Sequence, residues 1–238
     1  MERFGPDHIG ALVVTGLLAV MLFVIGRSPR DSGRTGRILG WAILLAWMTT
    51  PYTHALEGQL NLQNTLPLEM CDAATLTAIL ALLTGSPLAF ELTFLWGLAF
   101  SFQGLLTPTS SEVFPHIIYL RYFVIHSGIV LAAIHLGPGR GMPLRPGALK
   151  RATVLGIAWM AMAAVADWML DANYFFLREK PAYSVMNKLG PWPWYIAVIS
   201  ALGILAMAFL TLVFRVWRWD RRPGAAGGPV SSPAAPGA

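Results

Sequence analysis

Seven long apolar runs, separated by short polar or basic segments, constrain the fold of this 238-residue chain more than any other feature. A helix needs about 20 predominantly apolar residues to cross the hydrocarbon core of a bilayer. Only 12% of the residues are charged, whereas soluble domains average about 25%, so a soluble enzyme, a secreted disulfide scaffold and a disordered chain are excluded. The sequence predicts an all-α polytopic membrane protein, a bundle of seven transmembrane helices at residues 9–25, 38–55, 66–83, 88–106, 117–136, 152–170 and 195–214.

The basic residues predict how this bundle is oriented. Four basic residues lie on the side of the bilayer that holds the N-terminus, and twelve lie on the other side. Basic loops favour the cytoplasmic side, so we expect the N-terminus outside and the C-terminus inside, in a multi-pass protein of the cell membrane. The net charge of +5 follows from these loops and does not indicate nucleic-acid binding. The twelve are Arg27, Arg30, Arg34, Arg37, Arg140, Arg145, Lys150, Arg151, Arg215, Arg218, Arg221 and Arg222; the four are Arg3, Arg178, Lys180 and Lys188.

The chain divides into a membrane domain at residues 1–222 and a tail at residues 223–238. The tail contains only Pro, Gly, Ala, Val and Ser, without charge or periodicity, and is predicted to be disordered. No dinucleotide fingerprint, phosphate-binding loop or pair of zinc ligands is found in the sequence, so neither a cofactor nor a metal is predicted.

Five charged residues fall inside the predicted spans, where charge is costly and is commonly functional. In the predicted orientation four of them lie towards the outer surface, and Glu91 alone lies near the inner surface, where we expect it to reach water. The asymmetry predicts a polar cavity open to the external face with a hydrophobic floor. The alternative is that each side chain extends separately to the outer headgroups. The outer four are Glu69, Asp72, Arg121 and Asp167.

Helical spacing places some of these polar residues on shared faces. Tyr119, Tyr122 and His126 are separated by three and four residues and form one stripe on the fifth span. Arg121 lies off that stripe, at a depth close to that of Asp72 and Asp167. An unpaired charge at that depth is expensive, so we expect an ion pair between Arg121 and one of the two carboxylates.

Cys71 and His126 are the one combination in the spans that fits a nucleophile and its base. A thiol needs a base to become the reactive thiolate, and histidine titrates in a suitable range. A lone cysteine in a membrane helix is usually inert, and a lone histidine can serve structure as well as function. From spacing alone both interpretations stay open.

Seven short motifs connect this sequence to a known family. At these motifs the chain resembles the bacterial YwaF-like integral membrane proteins, which are similar to eukaryotic membrane acyltransferases that move acyl chains onto ether lysophospholipids through a cysteine. The resemblance implies that Cys71 is the acyl-accepting nucleophile and His126 its base. The motifs are LPLEMCD (residues 66–72), FLWGL (94–98), QGLLTP (103–108), FPH (114–116), FVIHSG (123–128), NYFFLREKP (173–181) and GPWPWY (190–195).

Three functions are therefore compatible with the sequence. In the first, a phospholipid acyltransferase or lipid hydrolase uses Cys71 and His126, with Arg121 on the lipid phosphate. In the second, a carrier or sensor binds a lipid headgroup or polar small molecule without a covalent step. In the third, the polar residues only join helices in a structural subunit. The candidate substrate-binding residues are Asp72, Arg121, Tyr122 and Asp167, and the expected partners are membrane lipids.

Overall fold

The computed structural model describes residues 2–108, 112–181 and 185–219, and within these ranges it is helical without any strand. The tail predicted to be disordered lies outside the described residues. The helices are α1 (Pro6–Arg27), α2 (Arg34–Met48), α3 (Thr50–Leu56), α4 (Met70–Thr84), α5 (Pro87–Trp96), α6 (Phe102–Leu106), α7 (Ile117–Ile134), α8 (Ala148–Leu170) and α9 (Trp194–Trp219).

Five helical segments in the described ranges are long and apolar enough to cross a membrane. They coincide with five of the seven predicted spans, so the chain is a helical protein of membrane character. The other two predicted spans correspond to shorter helices, and the count of seven and the orientation remain predictions. The five segments are Pro6–Arg27, Pro87–Leu106, Ile117–Gly139, Ala148–Leu170 and Trp194–Trp217.

The predicted second span is interrupted where α2 ends and α3 begins. Pro51 lies in the first turn of α3 and has no N–H for the carbonyl of Trp47. The hydroxyl of Thr50 donates to that carbonyl instead, at 2.6 Å. At the junction of the two helices, the Thr50 hydroxyl therefore replaces the backbone donor that Pro51 lacks.

The third predicted span is shorter than expected, because α4 begins at Met70 rather than at residue 66. Glu69 caps the helix in an extended conformation, with φ −67° and ψ 157°. The 15 residues of α4 span about 22 Å at 1.5 Å per residue, less than the roughly 30 Å hydrocarbon core. The start of α4, with Cys71 in its first turn, is therefore next to an irregular segment rather than inside a long helix.

The continuous segment α5–α6 and helix α7 form the centre of the bundle, and α1, α8 and α9 lie around it. About 61% of the apolar window of each central segment is buried inside the protein, against 11% for α1 and α8. Two π turns are built into the central helices, at Gly97–Ser101 between α5 and α6 and at His135–Gly139 after α7. A Cβ on Gly97 would lie 2.6 Å from Cγ2 of Ile129, so the first π turn packs closely on α7.

Glu91, near the start of α5, is fully buried, and the expectation that it reaches water is wrong. Arg145 donates to its carboxylate from Nε at 2.7 Å, from Nη2 at 3.2 Å and from its backbone N–H at 3.1 Å. Arg151 donates from Nε and Nη2, both at 2.9 Å. The ion pair raises the pKa of Arg145 above its usual range. We call this region, with the neighbouring α1–α2 loop, the Glu91 end of the bundle.

Candidate functional site

All six candidate site residues lie at the opposite end of the bundle, which we call the Cys71 end. It is formed by the first turns of α4, the first half of α7, the last turn of α8 and the junction of α2 with α3. The residues are Cys71, Asp72, Arg121, Tyr122, His126 and Asp167. These six residues come from three different helices, and all of them lie towards the same end of the bundle.

Asp72 joins the start of α4 to α2. Its Oδ2 accepts the backbone N–H of Glu69 at 3.1 Å, as an acidic residue in the first turn of a helix commonly does. Its Oδ1 accepts the indole N–H of Trp47 at 3.2 Å. The indole of Trp47 and the backbone N–H of Glu69 are both neutral, so both carboxylate oxygens are hydrogen-bonded without a bonded cation.

Arg121 does not form the predicted ion pair with Asp72 or Asp167. Its Nη1 donates to the Thr50 hydroxyl at 3.3 Å, and its Nε is buried without a hydrogen-bond partner. Thr50 also donates to the carbonyl of Trp47, whose indole donates to Asp72. The two opposite charges are thus connected through neutral groups. The predicted ion pair was wrong because the Thr50 hydroxyl, at the break before α3, accepts the hydrogen bond from Arg121 instead.

A segment after α8, residues 173–177, crosses the Cys71 end, and we call it the strap. Its Tyr174 N–H donates to Oδ1 of Asp167 at 2.7 Å, and its Phe175 N–H donates to Oε2 of Glu69 at 3.1 Å. Phe175 and Phe176 have φ of 58° and 55°, a conformation that residues other than glycine rarely adopt. Two carboxylates from two helices therefore hold a strained backbone in place.

The side chain of Tyr174 fixes the strap to the segment before α4. Its hydroxyl donates to the carbonyl of Leu62 at 2.8 Å and accepts the N–H of Leu66 at 2.9 Å. Burial raises the pKa of this phenol above its usual value, so the hydroxyl stays protonated and can fill both roles. The sequence motif NYFFLREKP was recognised as distinctive, but its structural role was not.

His126 is oriented as a base. Its Nδ1 is 2.9 Å from the carbonyl oxygen of Tyr122, and because a carbonyl can only accept, Nδ1 carries the proton and Nε2 keeps its lone pair. The imidazole stacks on the Tyr122 ring with centroids 4.1 Å apart, and the Tyr122 hydroxyl donates to the carbonyl of Gly104 at 2.8 Å. A Cβ on Gly104 would lie 2.5 Å from Cδ2 of His126. The His126 ring fits at this place because residue 104 is glycine and has no side chain.

Cys71 is a free thiol in the first turn of α4, a helix that packs against the π turn Gly97–Ser101. Ser101 is the last residue of the π turn, is fully buried and has no hydrogen bond of good geometry to its hydroxyl oxygen. Within the described part of the chain no hydrogen bond joins Cys71 to His126. Helix α4, which carries Cys71, packs on the π turn that ends at Ser101, and His126 packs on Gly104 three residues further along the same segment.

A cavity of about 280 Å³ opens beside the strap at the end of α8. Its polar lining consists of Asp167, whose Oδ2 is buried without a hydrogen bond, and Arg178. Arg178 uses Nη1 to bind the carboxylate of Asp171. Trp168, which is 85% exposed, stands at the rim, an arrangement typical of the boundary between lipid and water. Among the described residues no group of three His, Cys, Asp or Glu side chains could hold a metal ion.

Sequence reasoning missed several residues of this end. Ser101, Gly104 and Thr50 carry no charge, and their role depends on how the helices are rotated rather than on depth. A list of hydroxyl groups and glycines inside the apolar runs would have included all three. Tyr174 lies after a predicted span, so the polar groups inside the spans do not include it.

The fold and the polar site define a helical membrane protein with buried polar groups at both ends of the bundle. Residues 3–211 match the TMEM164 family, a membrane-protein family, and the chain belongs to it. It is also similar to an uncharacterized protein of Treponema pallidum (strain Nichols), with 26% identity over 228 residues that cover 90% of each chain. No solved structure matches the chain.

Proposed function

We propose that this protein is a membrane enzyme that transfers or hydrolyses phospholipid acyl chains through Cys71. In this proposal it is a seven-span protein of the cell membrane with its Cys71 end facing outside, and its cysteine chemistry is that of the ether-lysophospholipid acyltransferases to which the YwaF-like proteins that it resembles are similar. The observation that carries the proposal is the orientation of His126. Its Nδ1 proton is bound to a backbone carbonyl, and its Nε2 lone pair remains at the end of the bundle that holds the one cysteine.

The reaction has two halves. The Cys71 thiolate attacks the acyl carbonyl carbon of a donor phospholipid, a thioester forms and the ester C–O bond breaks. His126 accepts the thiol proton on Nε2 and delivers it to the departing lipid oxygen. An acceptor lipid hydroxyl, or water in hydrolysis, then gives its proton to His126 and attacks the thioester, the C–S bond breaks, and His126 returns the proton to the Cys71 sulfur. Because such pairs often tighten only with substrate bound, the absence of a direct Cys71–His126 hydrogen bond is compatible with this role.

The remaining site residues bind the lipid headgroup. Arg121 has an unbonded Nε and supports a contact to phosphate, which guanidinium groups recognise well. Asp72, Asp167 and Tyr122 lie at the same end and orient the polar part of the lipid. With the Cys71 end outside, cytoplasmic acyl-CoA has no access, so the acyl donor is a phospholipid.

One observation favours a second function, a carrier or sensor that binds a headgroup without a covalent step. The cavity beside the strap presents a carboxylate and a guanidinium, from Asp167 and Arg178, to the same space. Opposite charges in one cavity suit a headgroup that carries both. In this alternative Cys71 is an inert core residue.

The test is a search for an acyl group on Cys71. Purified protein in detergent is incubated with a phospholipid that carries an isotope-labelled acyl chain, and intact mass is measured before and after hydroxylamine. We expect a hydroxylamine-labile adduct in the wild-type protein, none in Cys71→Ala, and a loss of about 100-fold or more in acyl exchange in His126→Gln. An absent adduct together with full acyl exchange by Cys71→Ala would refute the enzyme. Headgroup binding that falls in Asp167→Asn but not in Cys71→Ala would then support the carrier or sensor.

A further inference from the structure

A second cavity, of about 390 Å³, opens at the Glu91 end of the bundle, in the loop between α1 and α2. The 22 residues of α1 span about 33 Å, slightly more than the roughly 30 Å hydrocarbon core of a bilayer. The loop that follows α1 therefore lies at the level of the lipid headgroups, whichever side of the membrane it faces. The polar lining of the cavity includes Arg30, Asp31, Ser32, Arg34 and Thr35.

The cavity carries an excess of positive charge, because the carboxylate in its lining is already neutralised. Oδ2 of Asp31 accepts Nη1 of Arg140 at 3.1 Å, and Oδ1 accepts the backbone N–H of Gly33 at 3.1 Å. Within the described residues, no hydrogen bond or ion pair holds the guanidinium group of Arg30 or of Arg34. Two arginines thus line the cavity without a counter-ion.

The start of α2 adds to this positive charge. Its N-cap is Gly33, which has no side chain to bond the first N–H groups of the helix, and no acidic residue lies in the first turn. Arg34 and Arg37 lie there instead. The N-terminus of a helix carries a partial positive charge, so basic side chains destabilise it and an anion stabilises it. A bound anion would remove this conflict, and the hydroxyls of Ser32 and Thr35 could also donate to it.

The helices on either side of the cavity expose apolar surface close to it. Val24, in the last turn of α1, is 59% exposed, and Ile38, in the second turn of α2, is 62% exposed. Each lies four residues from a residue that lines the cavity, Val24 from Ser28 and Ile38 from Arg34. An anion carried by a lipid would therefore have its acyl chains next to apolar side chains.

We propose that the cavity between α1 and α2 binds a phosphate group through Arg30, Arg34 and the start of α2. Guanidinium groups match the geometry of phosphate, to which they can donate two parallel hydrogen bonds. The headgroup of an anionic phospholipid and soluble phosphate share this chemistry. The site lies at the opposite end of the bundle from Cys71, so the inference goes beyond the proposed acyl chemistry and does not depend on it.

The experiment measures the binding of three probes to the full-length protein in a neutral detergent at constant ionic strength. The probes are short-chain phosphatidylglycerol, short-chain phosphatidylcholine and inorganic phosphate, and the shift of the thermal unfolding midpoint gives the affinity of each. We expect phosphatidylglycerol to bind about tenfold more tightly than phosphatidylcholine, because the positive cavity favours a headgroup with net negative charge.

Arg30→Gln and Arg34→Gln should each weaken the binding of phosphatidylglycerol about tenfold. Arg34→Lys keeps the charge but loses the planar fork, so its affinity should lie between those of the wild type and Arg34→Gln. Arg37→Gln is the matched control, because it removes the same charge from the same turn of α2 but from a residue that does not line the cavity. We expect the control to change the affinity by less than about twofold.

Inorganic phosphate separates the two sources of the group. Phosphatidylglycerol that binds without inorganic phosphate binding assigns the site to a lipid, whereas inorganic phosphate that binds alone or equally well assigns it to soluble phosphate. The inference is overturned when neither probe binds, or when Arg37→Gln weakens binding as much as Arg34→Gln, since that result indicates diffuse surface charge. The acyl adduct on Cys71 reports separately on the proposed function.

Discussion

The two ends of the bundle satisfy their buried carboxylates in different ways. At the Glu91 end, Glu91 accepts five hydrogen bonds from two arginines, and Asp31 accepts Arg140 at 3.1 Å. His135 also faces Asp31, with its Nε2 at 3.6 Å from the carboxylate. Charge is neutralised there by opposite charge.

At the Cys71 end the carboxylates of Glu69, Asp72 and Asp167 accept from neutral donors, which are backbone N–H groups and an indole. Three of the five buried side-chain polar atoms that lack a hydrogen bond in the described ranges also lie here. Such atoms are rare in folded proteins, and each one requires an explanation. We infer that the ion pairs of the Glu91 end hold the helices together, whereas the Cys71 end keeps polar atoms free to bond to another molecule. The three atoms are Ser101 Oγ, Arg121 Nε and Asp167 Oδ2.

The largest effect should come from breaking the ionic end. We expect Glu91→Ala to lower the free energy of unfolding by about 3 kcal/mol, because the buried acceptor of two arginines is lost and a cavity remains. Asp72→Ala, which removes an acceptor of neutral donors, should cost about 1–2 kcal/mol. Both are measured by denaturant unfolding in detergent. Equal losses would contradict the contrast between the two ends.

An intermediate effect should come from crowding the base. In Gly104→Ala the added methyl group would overlap His126, so we expect a loss of about 1–3 kcal/mol in stability and at least tenfold in acyl exchange. Gly16→Ala is the matched control, because a Cβ there meets nothing within 4 Å and alanine favours the helix. Unchanged exchange in Gly104→Ala would show that the position of His126 is not needed.

The smallest effect is expected for the pair that sequence reasoning had joined. Arg121 and Asp167 share no partner, so Arg121→Gln and Asp167→Asn should lower stability additively, with a coupling energy below about 0.5 kcal/mol. A double-mutant cycle of unfolding free energies provides this value. A coupling energy above about 1 kcal/mol would indicate that Arg121 and Asp167 form a direct ion pair after all.

Much of the fold could be predicted from the lengths of the apolar runs. Helices α7 and α8 follow the predicted spans closely, because an apolar run of that length has few alternatives to a membrane helix. The predictions were least accurate at Pro51 and before Met70, where the backbone leaves the helix. Hydropathy averaged over a whole span does not register such breaks, because the apolar residues on either side outweigh the few polar ones at the break.

The site was predicted only in outline. Counting residues along each span gave approximate depths for Cys71 and His126, which lie in the first turn of α4 and near the middle of α7. The partners of each charge depend on helix rotation and on the strap, where Phe175 and Phe176 adopt positive φ without a glycine to signal it. The π turn at Gly97–Ser101 also has no sequence pattern that announces it.

The strap also sets a distance. Tyr174 and Phe175 are consecutive residues, and their adjacent N–H groups bind carboxylates from α8 and from the start of α4. Because neighbouring Cα atoms are 3.8 Å apart across a trans peptide, one peptide unit acts as a spacer of fixed length between Asp167 and Glu69. A large change in the distance between those two helix ends therefore has to break one of the two hydrogen bonds or turn one of the two carboxylate side chains.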